Sequence, residues 1–239
     1  PSLYKGIDEL KDQSYFLARI SKKQLEKARF PIGEMPKPRV RQIAREFNLP
    51  VAEKKDSQGI CFLGKVKISE FLSNFLEDKP GEIVTTHGSV VGEHKGLHRY
   101  TLGQRRGIGV PSNTDHENFV VTGKDEGNNQ LIVAFESEKE STLWGKRFEI
   151  ESLSFLTDSP PVSPTRLLGK VRYRDPSVSL LFRPLGMSKA EIVFDQPQRA
   201  ITPGQVLALY EEERLIGGGT YCLSELGRAD QSLIHEISA

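Results

Sequence analysis

A change of pattern at Pro80 constrains this chain more than any other feature of its sequence. Before Pro80, apolar residues recur at helical spacing; after it they fall in short β-rich runs separated by turn chemistry. The runs are Glu82–Thr85, Ser89–Glu93, Phe119–Thr122, Gln130–Ala134, Phe148–Phe155, Thr165–Tyr173, Val178–Phe182, Ala190–Phe194, Val206–Tyr210 and Leu215–Ile216. Asp125-Glu126-Gly127-Asn128-Asn129 and Thr202-Pro203-Gly204 are typical of the turns between them. Strands this close together, with little helix between, imply a barrel or a sandwich. The proline-rich stretch Ser159–Pro164 reads as a loop or hinge. Gly217-Gly218-Gly219 reads as a terminal turn, because no helix follows to make it a dinucleotide loop. Beyond it the pattern fades into a loose or helical tail.

Residues 1–50 read as helical. Ser14–Ala28 is a basic, moderately amphipathic stretch, and Pro38 stands at a second helix start. Val40, Ile43, Ala44 and Phe47 then share one helical face, with Asn48 and Pro50 as the stop. Ser69 can cap a third helix in which Phe71, Leu72, Phe75 and Leu76 form a buried stripe. The 239 residues are enough for one large or two modest domains. No apolar run approaches the ~20 residues a bilayer requires, so no membrane partner is expected. The opening Pro1-Ser2-Leu3-Tyr4-Lys5 lacks both an initiator Met and an apolar signal core, the expected look of a piece of a longer protein.

Charge is distributed unevenly. Residues 1–67 hold 15 Lys/Arg against 8 Asp/Glu, and the remaining residues hold 18 against 24, so a net charge of +1 hides a basic front and a mildly acidic body. A basic front points either to a polyanion partner or to a solvated helix surface. Two cysteines, Cys61 and Cys222, exclude a disulfide framework and favour a reducing compartment. Cys61 lies in Lys54-Lys55-Asp56-Ser57-Gln58-Gly59-Ile60-Cys61-Phe62-Leu63-Gly64, with Lys65 and Lys67 close behind. Flanking cations favour the nucleophilic thiolate, and flanking glycines let a large partner approach closely. A small buried core thiol is the alternative for the same residue.

Four further polar patches stand out. They are Lys11-Asp12-Gln13, Tyr100–Gly107 with Gln104, Arg105 and Arg106, Arg172-Tyr173-Arg174-Asp175, and Thr202-Pro203-Gly204-Gln205. Guanidinium groups beside an aromatic plane suit an unpaired base, and arginines between glycines suit a phosphate. Together with the basic front they place RNA or single-stranded nucleic acid above other ligands. His94 and His98 are four apart, but Gly96 lies between them and no HExxH pattern occurs, so no metal site is expected.

Several consecutive segments resemble the tRNA-specific 2-thiouridylases (the MnmA family and its organellar relatives). They are Lys11–Leu17, Asp56–Phe62, Gly92–Leu97 running into Tyr100–Arg105, Val171–Arg174, Phe194-Asp195, Pro197–Ala200, Thr202–Gln205 and Gly217–Gly219. They occur in family order and cover about residues 5 to 220. The resemblance implies an α/β remnant of an ATP-pyrophosphatase domain over 1–64, a small central domain over 65–143, a C-terminal antiparallel β-barrel over 144–222 and a tail over 223–239. It implies enzymes that use ATP, with Mg, to adenylate the C2 oxygen of a wobble uridine, after which a cysteine persulfide delivers sulfur. Cys61 takes the place of that cysteine. Lys11, Asp12, Gln13, Arg172, Tyr173 and Gln205 take the places of tRNA contacts, and Lys54, Lys55, Arg105 and Arg106 are candidate phosphate contacts. The implied partners are the anticodon region of tRNA and a persulfide sulfur-donor protein. The implied location is the cytoplasm of a bacterium, or the mitochondrion or chloroplast of a eukaryote. The family's Ser-Gly-Gly-x-Asp-Ser loop, its acid/base aspartate and its second cysteine do not occur in these residues, so adenylation is not expected of this chain alone. A non-catalytic RNA-binding module and a cysteine redox protein are the competing readings.

Overall fold

The computed structural model describes residues 1–54, 71–110, 118–135 and 143–222. Lys55, Cys61, Lys65, Lys67 and Ser69 lie outside the described residues. The described residues of 1–55 and 145–239 make one compact unit, and those of 56–144 make another.

The first unit begins with a two-residue strand β1 (Leu3–Tyr4), a 3-10 turn (Ser14–Leu17), helix α1 (Lys22–Lys27) and helix α2 (Lys37–Glu46). The helix expected over Ser14–Ala28 is therefore broken in two. Side-chain bonds from this stretch to the barrel compete with the helical ladder and win, as detailed below. α1 starts at a capping box in which the Ser21 hydroxyl accepts from the Gln24 backbone and Gln24 reaches back to the Ser21 N–H. α2 starts where expected, with Pro38 in its first turn, and the Asp8 carboxylate accepts the otherwise orphaned Lys37 N–H at 2.8 Å. Its apolar face is not buried: Phe47 is 73% exposed.

In the second unit, β2 (Gly81–Thr85), β3 (Val90–His94), β4 (Phe119–Asp125) and β5 (Gln130–Phe135) form one sheet in the order β3-β2-β5-β4, with β2 and β5 parallel. Ile83, Val121, Leu131 and Val133 are its fully buried centre, and Tyr100 and Ile108 close over them. The expected third helix is not a buried stripe. Phe71 and Leu72 are helical, with Leu76 N–H donating to Leu72 C=O, but the chain turns off directly after them and Phe75 and Leu76 are exposed. The start expected at Ser69 lies outside the described residues.

The chain then returns to the first unit as β6 (Trp144–Phe155), β7 (Thr165–Lys170), β8 (Val178–Pro184), β9 (Lys189–Arg199), β10 (Val206–Glu211) and β11 (Arg214–Tyr221). The sheet runs β1-β11-β10-β7-β8-β9-β6, and β6 also pairs with β11, so six antiparallel strands close into a barrel. Closure removes free edges, which is how a small all-β unit avoids pairing with other chains. β7 stops at Lys170 rather than running to Tyr173, which frees Arg172–Asp175 for a turn.

β10 explains how the N-terminal residues are held. Its sequence, Val206-Leu207-Ala208-Leu209-Tyr210, has no polar face. Leu207 and Leu209 point into the barrel with Phe182, Ile192 and Phe194. Ala208 and Tyr210 point outward, where Leu3, Ala18, Leu25 and Leu156 cover them. Burial of Leu3 and Leu25 alone contributes about 3–6 kcal/mol of gross apolar stabilisation.

The Gly217-Gly218-Gly219 run is interior to β11, not a terminal turn. A Cβ on Gly217 would strike the Ser154 carbonyl, and one on Gly218 would strike the Leu207 carbonyl and approach the Ala18 Cβ to 2.9 Å. The glycines are there because β6, β10 and the N-terminal segment all press on this strand.

Candidate nucleic-acid interface

Three of the sequence patches meet at one end of the barrel. Asp12, within Lys11-Asp12-Gln13, is 5% exposed, and its carboxylate is turned inward. Oδ1 accepts the backbone N–H of Gly6 at 3.1 Å and of Ser14 at 3.0 Å, while Oδ2 accepts the Ser14 hydroxyl at 2.9 Å. Ser14 Oγ also lies 3.0 Å from the Tyr210 hydroxyl, and Lys170 Nζ sits 3.8 Å from Asp12 Oδ2. A buried carboxylate is tolerated only when paired and hydrogen-bonded in this way. The result is a fixed loop that leaves Lys11 and Gln13 on the outside.

The 3-10 turn that follows divides its side chains between the two environments. Tyr15 reaches into the barrel end, donating to Val206 C=O at 2.9 Å with Val171 C=O at 3.5 Å. Burial raises its pKa, with the Arg172 guanidinium acting in the opposite direction. Phe16 turns outward, and its ring centroid lies 4.6 Å from that of Tyr173.

Tyr173 sits on the turn closed by Asp175 N–H donating to Arg172 C=O. Arg172 ties this turn to its neighbour: one terminal nitrogen donates to both Arg199 C=O and Ala200 C=O at 2.7 Å, and the other reaches Asp175 at 3.2 Å. Arg174 beside it is exposed. Gln205 ends the turn after Pro203, where Gly204 adopts φ +86° and the Gln205 side-chain oxygen accepts the Thr202 N–H at 3.3 Å. Lys11, Gln13, Phe16, Tyr173 and Arg174 thus belong to a basic, partly aromatic surface assembled from distant stretches of chain. Asp12 and Arg172 hold that surface together.

Arg105 and Arg106 lie in the second unit, exposed on the loop after Tyr100. Gln104 shapes that loop by accepting the Thr101 N–H at 3.1 Å and donating to Arg106 C=O at 2.9 Å. Its backbone is clamped to β4 through Gly103 N–H to Val121 C=O and Val121 N–H to Gln104 C=O. His94 and His98 do not converge. His94 is buried against Asn129 C=O at 3.0 Å, whereas His98 faces Asp78, which Arg99 grips with two nitrogens at 2.6 and 2.7 Å. Lys54 is exposed, with its carbonyl accepting from Arg41.

Cys222 leaves β11 beside Glu149 and Glu151; partial burial, reinforced by those carboxylates, pushes its thiol pKa up. That is the opposite of what a sulfur nucleophile needs. Sequence reasoning missed Ser14, Tyr210 and Lys170. Ser14 and Tyr210 carried no local signal, since each looks like an ordinary polar or strand residue until the chain is folded. Phe16 was within reach, because the adjacent Tyr15 and Phe16 cannot both face inward from one short turn.

Comparison with known proteins covers nearly the whole chain. Residues 1–65 match the family described as tRNA methyl transferase HUP domain, 69–135 the tRNA methyl transferase PRC-barrel domain, and 145–221 the aminomethyltransferase beta-barrel domain. The chain is 43% identical over 218 residues to the tRNA-specific 2-thiouridylase MnmA of Geobacillus thermodenitrificans, a match covering 91% of this chain and 58% of that protein. It is 42% identical over 219 residues to the protein of that name from Akkermansia muciniphila, covering 92% and 60%. For the Neisseria meningitidis protein the identity is 45% over 217 residues, covering 91% and 58%. The chain therefore spans about three fifths of the length of these curated relatives.

Proposed function

The chain belongs to the tRNA-specific 2-thiouridylase family, and from that premise we propose that it is the tRNA-gripping and sulfur-carrying portion of an enzyme that thiolates the wobble uridine. The observation that carries the reading is the meeting of the Lys11–Phe16, Arg172–Asp175 and Thr202–Gln205 segments at one barrel end. Folding gives these distant segments no need to present cations and aromatic rings on one surface, whereas binding an RNA backbone with unpaired bases does.

In this reading Lys11 and Arg174 neutralise phosphates, Gln13 and Gln205 offer amides, and Tyr173 offers a ring. Asp12 and Arg172 are positioning residues, because their polar atoms are spent inside the fold. Arg105 and Arg106 are proposed phosphate contacts of the second unit, and Lys54 and Lys55 of the segment leading to Cys61. Cys61 carries the transferable sulfur as a persulfide received from a donor protein. In the complete enzyme the terminal sulfur bonds to C2 of the uridine as the adenylated C2 oxygen leaves with AMP. A second thiol, that of the family's other cysteine, then attacks the Cys61 sulfur, so that the S–S bond breaks, a disulfide to Cys61 forms and the thiouridine is released. The base must leave its stack for this to happen. The described residues do not fit an ATP site, since α2 opens at Pro36-Lys37-Pro38 with no glycine run to cradle phosphates. No helix among the described residues is long and apolar enough to cross a membrane. The proposed location is the cytoplasm in a bacterium, or a mitochondrion or chloroplast in a eukaryote.

A non-catalytic RNA-binding module of the same fold is the second reading, since the barrel-end surface among the described residues offers binding groups rather than a nucleophile. Cys61→Ser in the complete protein separates the two. Loss of wobble thiolation with tRNA binding retained supports the enzyme, and unchanged thiolation refutes it.

A further inference from the structure

We propose that Phe16, backed by Tyr173, is a stacking platform for one unpaired nucleobase of the bound RNA. This rests on the RNA-binding reading and adds to it a residue and the class of group that residue takes.

The fold gives Phe16 no interior to occupy. Within the turn Ser14–Leu17, Ser14 is fully engaged with Asp12 and Tyr210, and Tyr15 is anchored to the β10 backbone, while Phe16 stays 60% exposed. Leaving a large ring in water forgoes the apolar stabilisation that burial would give. The ring is nevertheless held in place. Tyr15 makes a T-shaped contact with it at 5.5 Å and 79°, and Tyr173 lies 4.6 Å away at 40°. Tyr173 is in turn fixed by the turn that Arg172 staples to Arg199 and Ala200. A rigid exposed ring loses little conformational freedom when a ligand lands on it.

The geometry also limits how a base binds. At 4.6 Å the two rings are too close to admit a third between them, so a base stacks on the outward face of Phe16 and does not wedge into the pair. The surroundings suit a polyanion: Lys11 and Gln13 lie on the same loop, and Arg174 on the neighbouring turn, all exposed. A basic surface with aromatic rings on it is the arrangement by which single strands are held without a fixed sequence. Paired bases already stack on each other and present no free face, so duplex RNA gains nothing from this ring.

The test uses the whole 239-residue chain, with binding measured by anisotropy against labelled tRNA and against single-stranded and duplex RNA of equal length. Phe16→Ala and Phe16→Leu should each weaken tRNA and single-strand binding about 5- to 150-fold, leave duplex binding unchanged, and leave the salt dependence of affinity unaltered. Phe16→Trp should match or exceed the parent. Because Phe16 is exposed, thermal midpoints should stay with the parent, and Trp keeps a ring in place should Ala perturb the turn. Parent-like tRNA binding by Phe16→Ala overturns the proposal. Retention by Leu but not Ala also overturns it, since bulk rather than a π face would then be what counts, as at a protein contact. A parent chain that binds no tRNA at all sinks the RNA-binding reading itself, whereas binding by the parent with silent Phe16 variants sinks only the platform.

Discussion

Replacing Asp12 with Ala tests whether this residue serves the fold or touches RNA directly. In the structure its carboxylate accepts three hydrogen bonds, from Gly6 N–H, Ser14 N–H and Ser14 Oγ, at 3.1, 3.0 and 2.9 Å, and faces Lys170 Nζ at 3.8 Å. Truncation strands two buried donors and leaves the Lys170 ammonium, whose side chain is 11% exposed, without its counter-charge. Bonds to a charged acceptor are worth about 1.5–3 kcal/mol each, but they act as a unit and water can reach part of the vacancy. Removing one member of a buried pair costs about 3–5 kcal/mol, and that is the expected destabilisation of the first unit. With a urea slope of about 2 kcal/mol/M, the unfolding midpoint falls by about 1.5–2.5 M. Far-UV circular dichroism follows the unfolding, since Trp144, the only tryptophan, falls in the second unit and is 52% exposed. Lys11→Ala, an exposed change on the same loop, should weaken tRNA binding while lowering the midpoint far less than Asp12→Ala does. Asp12→Asn, which keeps acceptor capacity at Oδ1, should fall between Ala and the parent. An Asp12→Ala chain with a parent midpoint but abolished tRNA binding would refute the reasoning and make Asp12 a direct contact.

Three other outcomes follow from the same geometry. Arg174→Ala should flatten the slope of log affinity against log salt by about 0.7–0.9, the share of one phosphate, whereas Arg172→Ala should also lower stability because it frees Arg199 and Ala200 carbonyls; salt titrations combined with urea melts distinguish them. Gly218→Ala should destabilise the first unit by about 1–3 kcal/mol, since the added methyl meets backbone of β10 and Ala18; a parent-like midpoint would show the N-terminal segment is not seated as described. Burial raises the Tyr210 pKa to about 12, outweighing the Ser14 hydrogen bond, so the neutral phenol is favoured in the folded state. The stability this confers is whole below about pH 10 and lost as pH climbs through the raised value; between about pH 10 and 12 the parent should lose on the order of 2–3 kcal/mol more than Tyr210→Phe in paired urea melts.

The strands from Glu82 to Ile216 were within reach of sequence reasoning, because each run is bounded by turn residues that fix where a strand must stop. The helix at Pro38 was legible for the same reason. What failed was local inference wherever a segment answers to a distant partner. Ser14–Ala28 has helical periodicity, yet Tyr15 and Ser14 find better partners on β10 than a continuous helix offers them. Gly217-Gly218-Gly219 looks like an ending and is the most crowded part of a strand. Asp12 belongs to a polar motif along the chain and to a buried network in space. Cys61 and Lys55 fall outside the described residues, so the roles proposed for them rest on the sequence motif.

Periodicity and turn chemistry were enough to establish a helical front, a β-rich remainder and the set of polar patches, since these depend on near neighbours along the chain. Which patches meet, which side chain of a pair is inward, and that the first residues cap the last barrel were settled by strand pairing across some two hundred positions. The reason is closure: once β6 joins β11, the outer face of β10 needs a cover, and the N-terminal residues that supply it bring Phe16 to Tyr173.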